Sequence, residues 1–109
     1  MNDGYSISYT SASLEDIRRA HHYIAFSLRE PGYASKATRK ILDSVQSLCY
    51  MPERFSCVDD FLYLNKEVRR APAGNFLILY IVDNDKKCVT VVRICHTGQD
   101  TRALINEIS

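Results

Sequence analysis

The densest cationic group in the chain is Lys66, Arg69 and Arg70, with Glu67 among them. Arginines clustered on a rigid strand suit phosphate or carboxylate recognition, because the guanidinium fork matches those groups two bonds at a time. The bland reading is an edge strand whose Lys and Arg discourage sheet-to-sheet association. Arg93 lies on a later apolar run and is expected near this group across a sheet. His96 ends that run beside a Gly-containing loop, a place where general acids and bases are often held. A His closing a strand also serves as an ordinary structural residue, and the residue type alone leaves both open.

Other candidates are weaker. His21 and His22 are adjacent on a helical stretch and point about 100° apart, which keeps both from one metal ion. His21 falls on the apolar stripe and is expected to make a hydrogen bond inside the fold. Cys49, Cys57, Cys88 and Cys95 show no CxxC spacing, so a zinc site is poorly supported and the thiols read as small hydrophobes. Tyr5, Tyr9, Tyr63 and Tyr80 would suit base stacking, though core packing explains them equally simply. A glycine-rich phosphate loop, a GxSxG elbow and paired carboxylates with a partner base are all missing, and no residue pattern calls for a metal or cofactor.

The elements that must position these residues follow from periodicity. Tyr5 to Tyr9 alternates apolar and polar residues and predicts a short strand. Thr10, Ser11 and Ser13 offer helix caps, with Asp16 completing a weak capping box. Leu14, Ile17, His21, Ile24 and Leu28 step by three and four along a helix that should end near Glu30, before Pro31 and Gly32. Ala34, Ala37, Ile41, Val45 and Leu48 mark a second helix, ending before Pro52, and the two form an antiparallel hairpin. Phe61–Leu64 and Glu67–Arg70 then read as one interrupted strand closed by a turn over 71–75. Phe76–Val82 is apolar on both faces, as a covered central strand must be. Asp83–Lys87 is a polar loop, Cys88–Cys95 a third β run, and Thr101–Ile108 a short terminal helix or tail. The expected fold class is α+β: an N-terminal strand, then a helical hairpin packed on a mainly antiparallel sheet that ends in a three-stranded meander, order β-α-α-β-β-β-α.

With 109 residues the chain is expected to be one domain over 1–109, large enough to bury a core without staples. A 46% hydrophobic, 25% charged composition excludes disordered and collagenous classes. The formal net charge of +1 argues against nucleic-acid binding by bulk charge, so any functional charge is local. No apolar run approaches the roughly 18 to 20 residues of a membrane helix. The first ten residues carry neither a basic region nor an apolar block, so a cytoplasmic, reduced-thiol setting is expected.

Three segments carry a resemblance. Residues 67–80, EVRRAPAGNFLILY, resemble the "VRR-x-P-x-GN-aromatic-LI-x-Y" core of the RelE/ParE superfamily of bacterial type II toxins. Val91–His96 followed by Asp100 is similar to that family's last strand and its "R-hydrophobic-x-H-x-x-R-D" ending, with Gln99 where the Arg stands and Arg102 close enough to substitute. Leu48, Pro52, Glu53 and Arg54 resemble its "L-x-x-x-P-x-R" junction. The likeness covers roughly residues 5 to 105, and its element order agrees with the one read from periodicity.

The resemblance implies a toxin with a cognate antitoxin partner, alone or in a homodimer or hetero-oligomer, and one of two activities. RelE-like members cut mRNA on the ribosome and would use Arg69, Arg70, Arg93 and His96 to hold phosphate and move protons. Such sequences commonly carry an Arg three residues before the central-strand Tyr, where this chain has Leu77, and no Tyr follows Tyr80. The wording of the core is closer to the ParE branch, whose members poison DNA gyrase without being enzymes. On that reading Lys66, Arg69, Arg70, Arg93, His96 and Arg102 are contacts for target or antitoxin. A third possibility is an inactive homologue that only binds its antitoxin. Arg69 and Arg70 must face opposite sides of their strand. One is therefore expected to be an anchor paired to Asp16, Glu15 or Glu67, and the other an exposed contact.

Overall fold

Ser6–Tyr9 alternates exposed and half-buried side chains and forms strand β1, leading through Thr10 into helix α1, Ser11–His22. In the computed structural model, which describes residues 4–97, Thr10 is the cap. Its hydroxyl accepts from the Ser13 N–H at 3.0 Å and donates to the Val92 carbonyl at 2.7 Å, tying the helix start to a neighbouring strand. Asp16, expected in a capping box, is used elsewhere.

The first helical stripe does not run unbroken to Glu30. After His22 the backbone widens into a π turn over Tyr23–Ser27, with the Leu28 N–H donating to the Tyr23 carbonyl at 3.1 Å. The Glu30 N–H then bonds the Ile24 carbonyl at 3.0 Å around Arg29, whose φ of 54° is left-handed. Pro31 is not part of the break. It opens helix α2, Pro31–Gln46, where its fixed φ and missing N–H cost nothing. Short 3-10 turns follow at Ser47–Cys49 and Pro52–Arg54.

The sheet has five strands: β1, then β2 Cys57–Tyr63, β3 Lys66–Ala73, β4 Phe76–Asp83 and β5 Cys88–His96. They lie in the order β1-β5-β4-β3-β2, with β1 parallel to β5 and every other pair antiparallel. The single interrupted strand expected over residues 61–70 is in fact a hairpin. Leu64 and Asn65, at φ 53° and 63°, form the tight turn between β2 and β3, a backbone whose twist matches the flanking strands. The expected turn over residues 71–75 shrinks to Gly74 and Asn75, with Gly74 at φ 65°. Ala71, Pro72 and Ala73 belong to β3. Pro72 is tolerated because the pairing of β2 with β3 runs no further than Arg69, and Pro72 lies beyond it.

Burial explains the layering. Ile17 from α1 and Ile41, Val45 and Leu48 from the second helical arm pack on Ala71, Ile78, Tyr80, Val91 and Ile94. Full burial of such a side chain contributes about 1.5 to 3 kcal/mol. The other sheet face gathers Val68, Leu79, Ile81, Val92 and Cys95, with Phe61, Tyr63 and Leu77 against them. Strand β4 is therefore buried on both faces, as its unbroken apolar run predicts. The α+β architecture matches the expectation, but the order through β5 is β-α-α-β-β-β-β, one strand more than the expected three-stranded meander. The terminal helix expected over 101–108, with Gln99, Asp100 and Arg102, lies outside the described residues.

Candidate functional site

Arg93 does not join the cationic group. Its Nε donates to Asp16 Oδ2 at 2.7 Å and its Nη2 to Asp16 Oδ1 at 2.8 Å, and both side chains are only 10% exposed. The same carboxylate accepts the Ile94 N–H at 2.9 Å. The cause lies in the strand register: Tyr80 faces Val91 while Leu79 faces Arg93, so β5 carries one extra residue there. That bulge breaks strict alternation, and Val91 and Cys95 sit in opposite core clusters despite their even spacing. Beyond Val91 the strand has no β1 partner, and α1 lies alongside it with Asp16 in reach. Sequence spacing offered no signal for this pair, because it joins residues 77 apart.

Arg69 and Arg70 divide as expected in direction, with a different partner for the anchor. Arg69 lies opposite Tyr80 and turns beneath the loop after α2. Its Nη1 donates to the Phe55 carbonyl at 2.7 Å and the Glu53 carbonyl at 3.1 Å, with Glu53 Oε2 at 3.8 Å from Nη2. Asp16, Glu15 and Glu67 are not its partners: Asp16 is taken by Arg93, Glu15 by Arg18 and Arg19, and Glu67 accepts from the Cys57 thiol. Arg70 is exposed on the face of Val68. Lys66, half-buried, lies near Asp83, whose carboxyl is held below its ordinary value chiefly by the Lys86 backbone N–H, with Lys66 adding to the effect.

His96 is exposed at the other end of the sheet, opposite Phe76, against which its ring packs edge-on at 5.6 Å. Phe76 in turn pairs with Ala73, which places Lys66 and His96 roughly 23 Å apart along the strands. Lys66, Arg69, Arg70, Arg93 and His96 therefore do not converge on one point. His21 Nδ1 lies 2.9 Å from Thr38 Oγ1, an interhelical hydrogen bond of the kind its place on the stripe predicts. Tyr5 and Tyr9 pack against the helix-side core and Tyr63 against the opposite cluster. Tyr80 is fully buried and donates to the Pro52 carbonyl at 2.6 Å. Burial pushes its phenol up to about 12. Burial likewise pushes the Cys95 thiol up to about 11, which leaves it an unreactive thiol at neutral pH.

The helical hairpin leaves large apolar side chains outside: Tyr23, Phe26, Leu28 and Tyr33 cluster in sequence about its tip. Beside them, Arg18 and Arg19 share the single carboxylate of Glu15. No three His, Cys, Asp or Glu side chains gather to hold a metal among the described residues. None of the described helices is long and apolar enough to cross a membrane.

The fold has close counterparts. A chromosomal ParDE toxin–antitoxin system from P. aeruginosa contains a chain 19% identical, with a TM-score of 0.66 over 87% of this chain and 98% of that one. A chain of the RelBE2 toxin–antitoxin complex from Mycobacterium tuberculosis is 14% identical, with a TM-score of 0.63 over 88% and 94%. A chain of the archaeal RelE–RelB complex from Pyrococcus horikoshii is 15% identical, with a TM-score of 0.59 over 89% and 99%. At these identities the likeness is one of fold. No curated protein matches. The sequence model of the ParE toxin of the type II toxin–antitoxin system parDE matches residues 7–101, nearly the whole chain, and the chain therefore belongs to the ParE toxin family of type II toxin–antitoxin systems.

Proposed function

We propose that this toxin acts in the cytoplasm by binding and poisoning DNA gyrase, and that a cognate antitoxin neutralises it. The observation that carries this reading is the dispersal of the catalytic candidates. RNA cleavage through a 2′-hydroxyl needs cations around one phosphate and an acid or base within hydrogen-bond reach. Here Arg93 is bound to Asp16, Arg69 faces the backbone of residues 53–55, Arg70 faces the other side of the sheet, and His96 stands at the far end from Lys66. Leu77 occupies the central-strand position where RelE-like sequences carry an Arg. Membership of the ParE family points the same way.

On this reading Lys66, Arg70 and His96 are binding contacts, Arg69 and Arg93 hold the surface in shape, and Arg102 is a further contact. The exposed apolar side chains of the helical hairpin support an antitoxin segment as cover. Toxin–antitoxin complexes among the fold relatives support the same partner.

The test is purified chain assayed with gyrase and, separately, with translating ribosomes. Supercoiling should be inhibited with accumulation of cleaved DNA, mRNA should stay intact, and Arg70→Ala should weaken inhibition without unfolding the protein. Codon-linked mRNA cuts that vanish in His96→Ala would establish the ribonuclease reading instead.

A further inference from the structure

Between the end of α2 and the turn joining β4 to β5 lies a cleft of about 550 Å³, lined by residues 50–54 on one side and by Tyr5 and Lys87 on the other, with Glu53 its one carboxylate. Two features of its walls are unusual together. Met51 and Lys87 both have left-handed backbones, at φ 47° and 53°, a conformation that disfavours residues with side chains. The loop carrying Met51 is also held with unusual completeness. Arg54 Nη1 donates to the carbonyls of Tyr50 at 2.7 Å, Met51 at 3.2 Å and Ser47 at 3.3 Å. Tyr80 holds the Pro52 carbonyl, Arg69 those of Glu53 and Phe55, and the Tyr5 N–H that of Cys49.

This rigid loop presents large apolar side chains to water: Tyr50 is 66% and Met51 67% exposed. Folding gains little from burying either; the bracing seats the buried Pro52 and the core-packed Phe55, while the left-handed Met51 leaves its own side chain outside. Strained, over-determined backbone of this kind collects where a ligand is gripped. On the opposite lip, Lys87 sits over the Tyr5 ring at 5.0 Å, and its carbonyl accepts the Ser6 N–H at 2.9 Å. Charge selects the ligand. Arg54 is bound to neutral oxygens and stacks on Phe55, while the cleft's carboxylate, Glu53, is engaged by Asn84 at 3.2 Å and lies 3.8 Å from Arg69. The walls therefore offer aromatic and thioether surface beneath two cations.

We infer that this cleft binds a short segment of a partner protein in which an apolar side chain is flanked by carboxylates. The apolar group would rest on Tyr50 and Met51, and the carboxylates would meet Lys87 and Arg54. The inference goes beyond the gyrase reading and stands on different residues.

The test is a titration of the isotope-labelled full chain, followed by amide chemical shifts, with an acetylated peptide of alternating Leu and Glu about eight residues long. The probe's Leu–Lys counterpart is the control. The Leu–Glu peptide should shift amides around Tyr5, Tyr50, Met51 and Lys87 and bind about tenfold more tightly than the control. The double variant Tyr50→Ala, Met51→Gly should lose that binding while its melting temperature stays level or rises, since glycine relieves the left-handed backbone. Lys87→Ala should weaken binding as well, and it reads the same prediction should the double variant fail to fold. Equal binding of the two peptides, shifts confined to other surfaces, or no shift at millimolar peptide would each overturn the assignment.

Discussion

Arg93 and Arg69 stand two strands apart in one sheet, and the fold has taken each out of solvent by a different chemistry. Arg93 meets a carboxylate, so its charge is cancelled where it lies. Arg69 meets chiefly backbone carbonyls, which satisfy its donors and leave most of its charge in place. The difference assigns their roles. A neutralised pair can only fasten one element to another, here α1 to the stretch of β5 beyond its pairing with β1. A carbonyl-bound guanidinium shapes the loop it holds and still projects positive potential toward its surroundings.

The sharpest way to break this comparison is to remove Asp16. Asp16→Ala strands a buried guanidinium and the Ile94 N–H together. Loss of one partner from a buried pair costs about 3 to 5 kcal/mol, which urea denaturation should read as a large drop in midpoint. A loss below 1 kcal/mol would mean that Arg93 finds water and that the pair is not an anchor. Arg69→Ala should cost less, about 1.5 to 3 kcal/mol for its charged hydrogen bonds. Arg69→Lys should recover little of it, since one ammonium lacks the planar fork that spans the carbonyls of Glu53 and Phe55. Arg70→Ala, one residue on and exposed, should stay within about 0.5 kcal/mol of the parent. Similar losses at 69 and 70 would erase the division between anchor and contact.

Tyr80 braces the same loop from the core, and it gives the comparison a pH signature. Burial raises its phenol from 10.0 to about 12, so the folded state favours the neutral form. That contribution is complete below pH 10 and disappears as pH climbs through about 12. Tyr80→Phe should cost about 1 to 2 kcal/mol near neutrality, through the unpaired Pro52 carbonyl. It should also flatten the alkaline fall in stability between pH 10 and 12, measured by chemical denaturation across that range. A parental steepness retained in the variant would move the alkaline transition to another group.

Much of the fold was legible because it rests on local pattern. The apolar run Phe76–Val82 has to be covered on both faces, and the 3-4 stepping of Ile41, Val45 and Leu48 can bury only one side of a helix. Asn65 carried a readable signal for the β2–β3 hairpin that is easily passed over, since its partner in the turn is Leu64, a residue that rarely accepts a left-handed backbone. The π turn after His22 had no comparable signal: Ile24 and Leu28 keep an α-helical spacing while the backbone between them widens.

The candidate site divides along the same line. Residue types and spacing along the chain were enough to determine the α+β class, the cationic strand, and the rule that Arg69 and Arg70 face opposite ways, because strand alternation is a property of neighbouring residues. Which of the two is buried, what it bonds, and where Arg93 goes were decided only in three dimensions. A one-residue bulge in β5 cancels the alternation that sequence reasoning depends on. Asp16 reaches Arg93 because β1 ends at Tyr9 and lets α1 lie against the side of β5 that faces away from β4. Contacts between residues 77 apart are set by the packing of whole elements, and no local pattern encodes them.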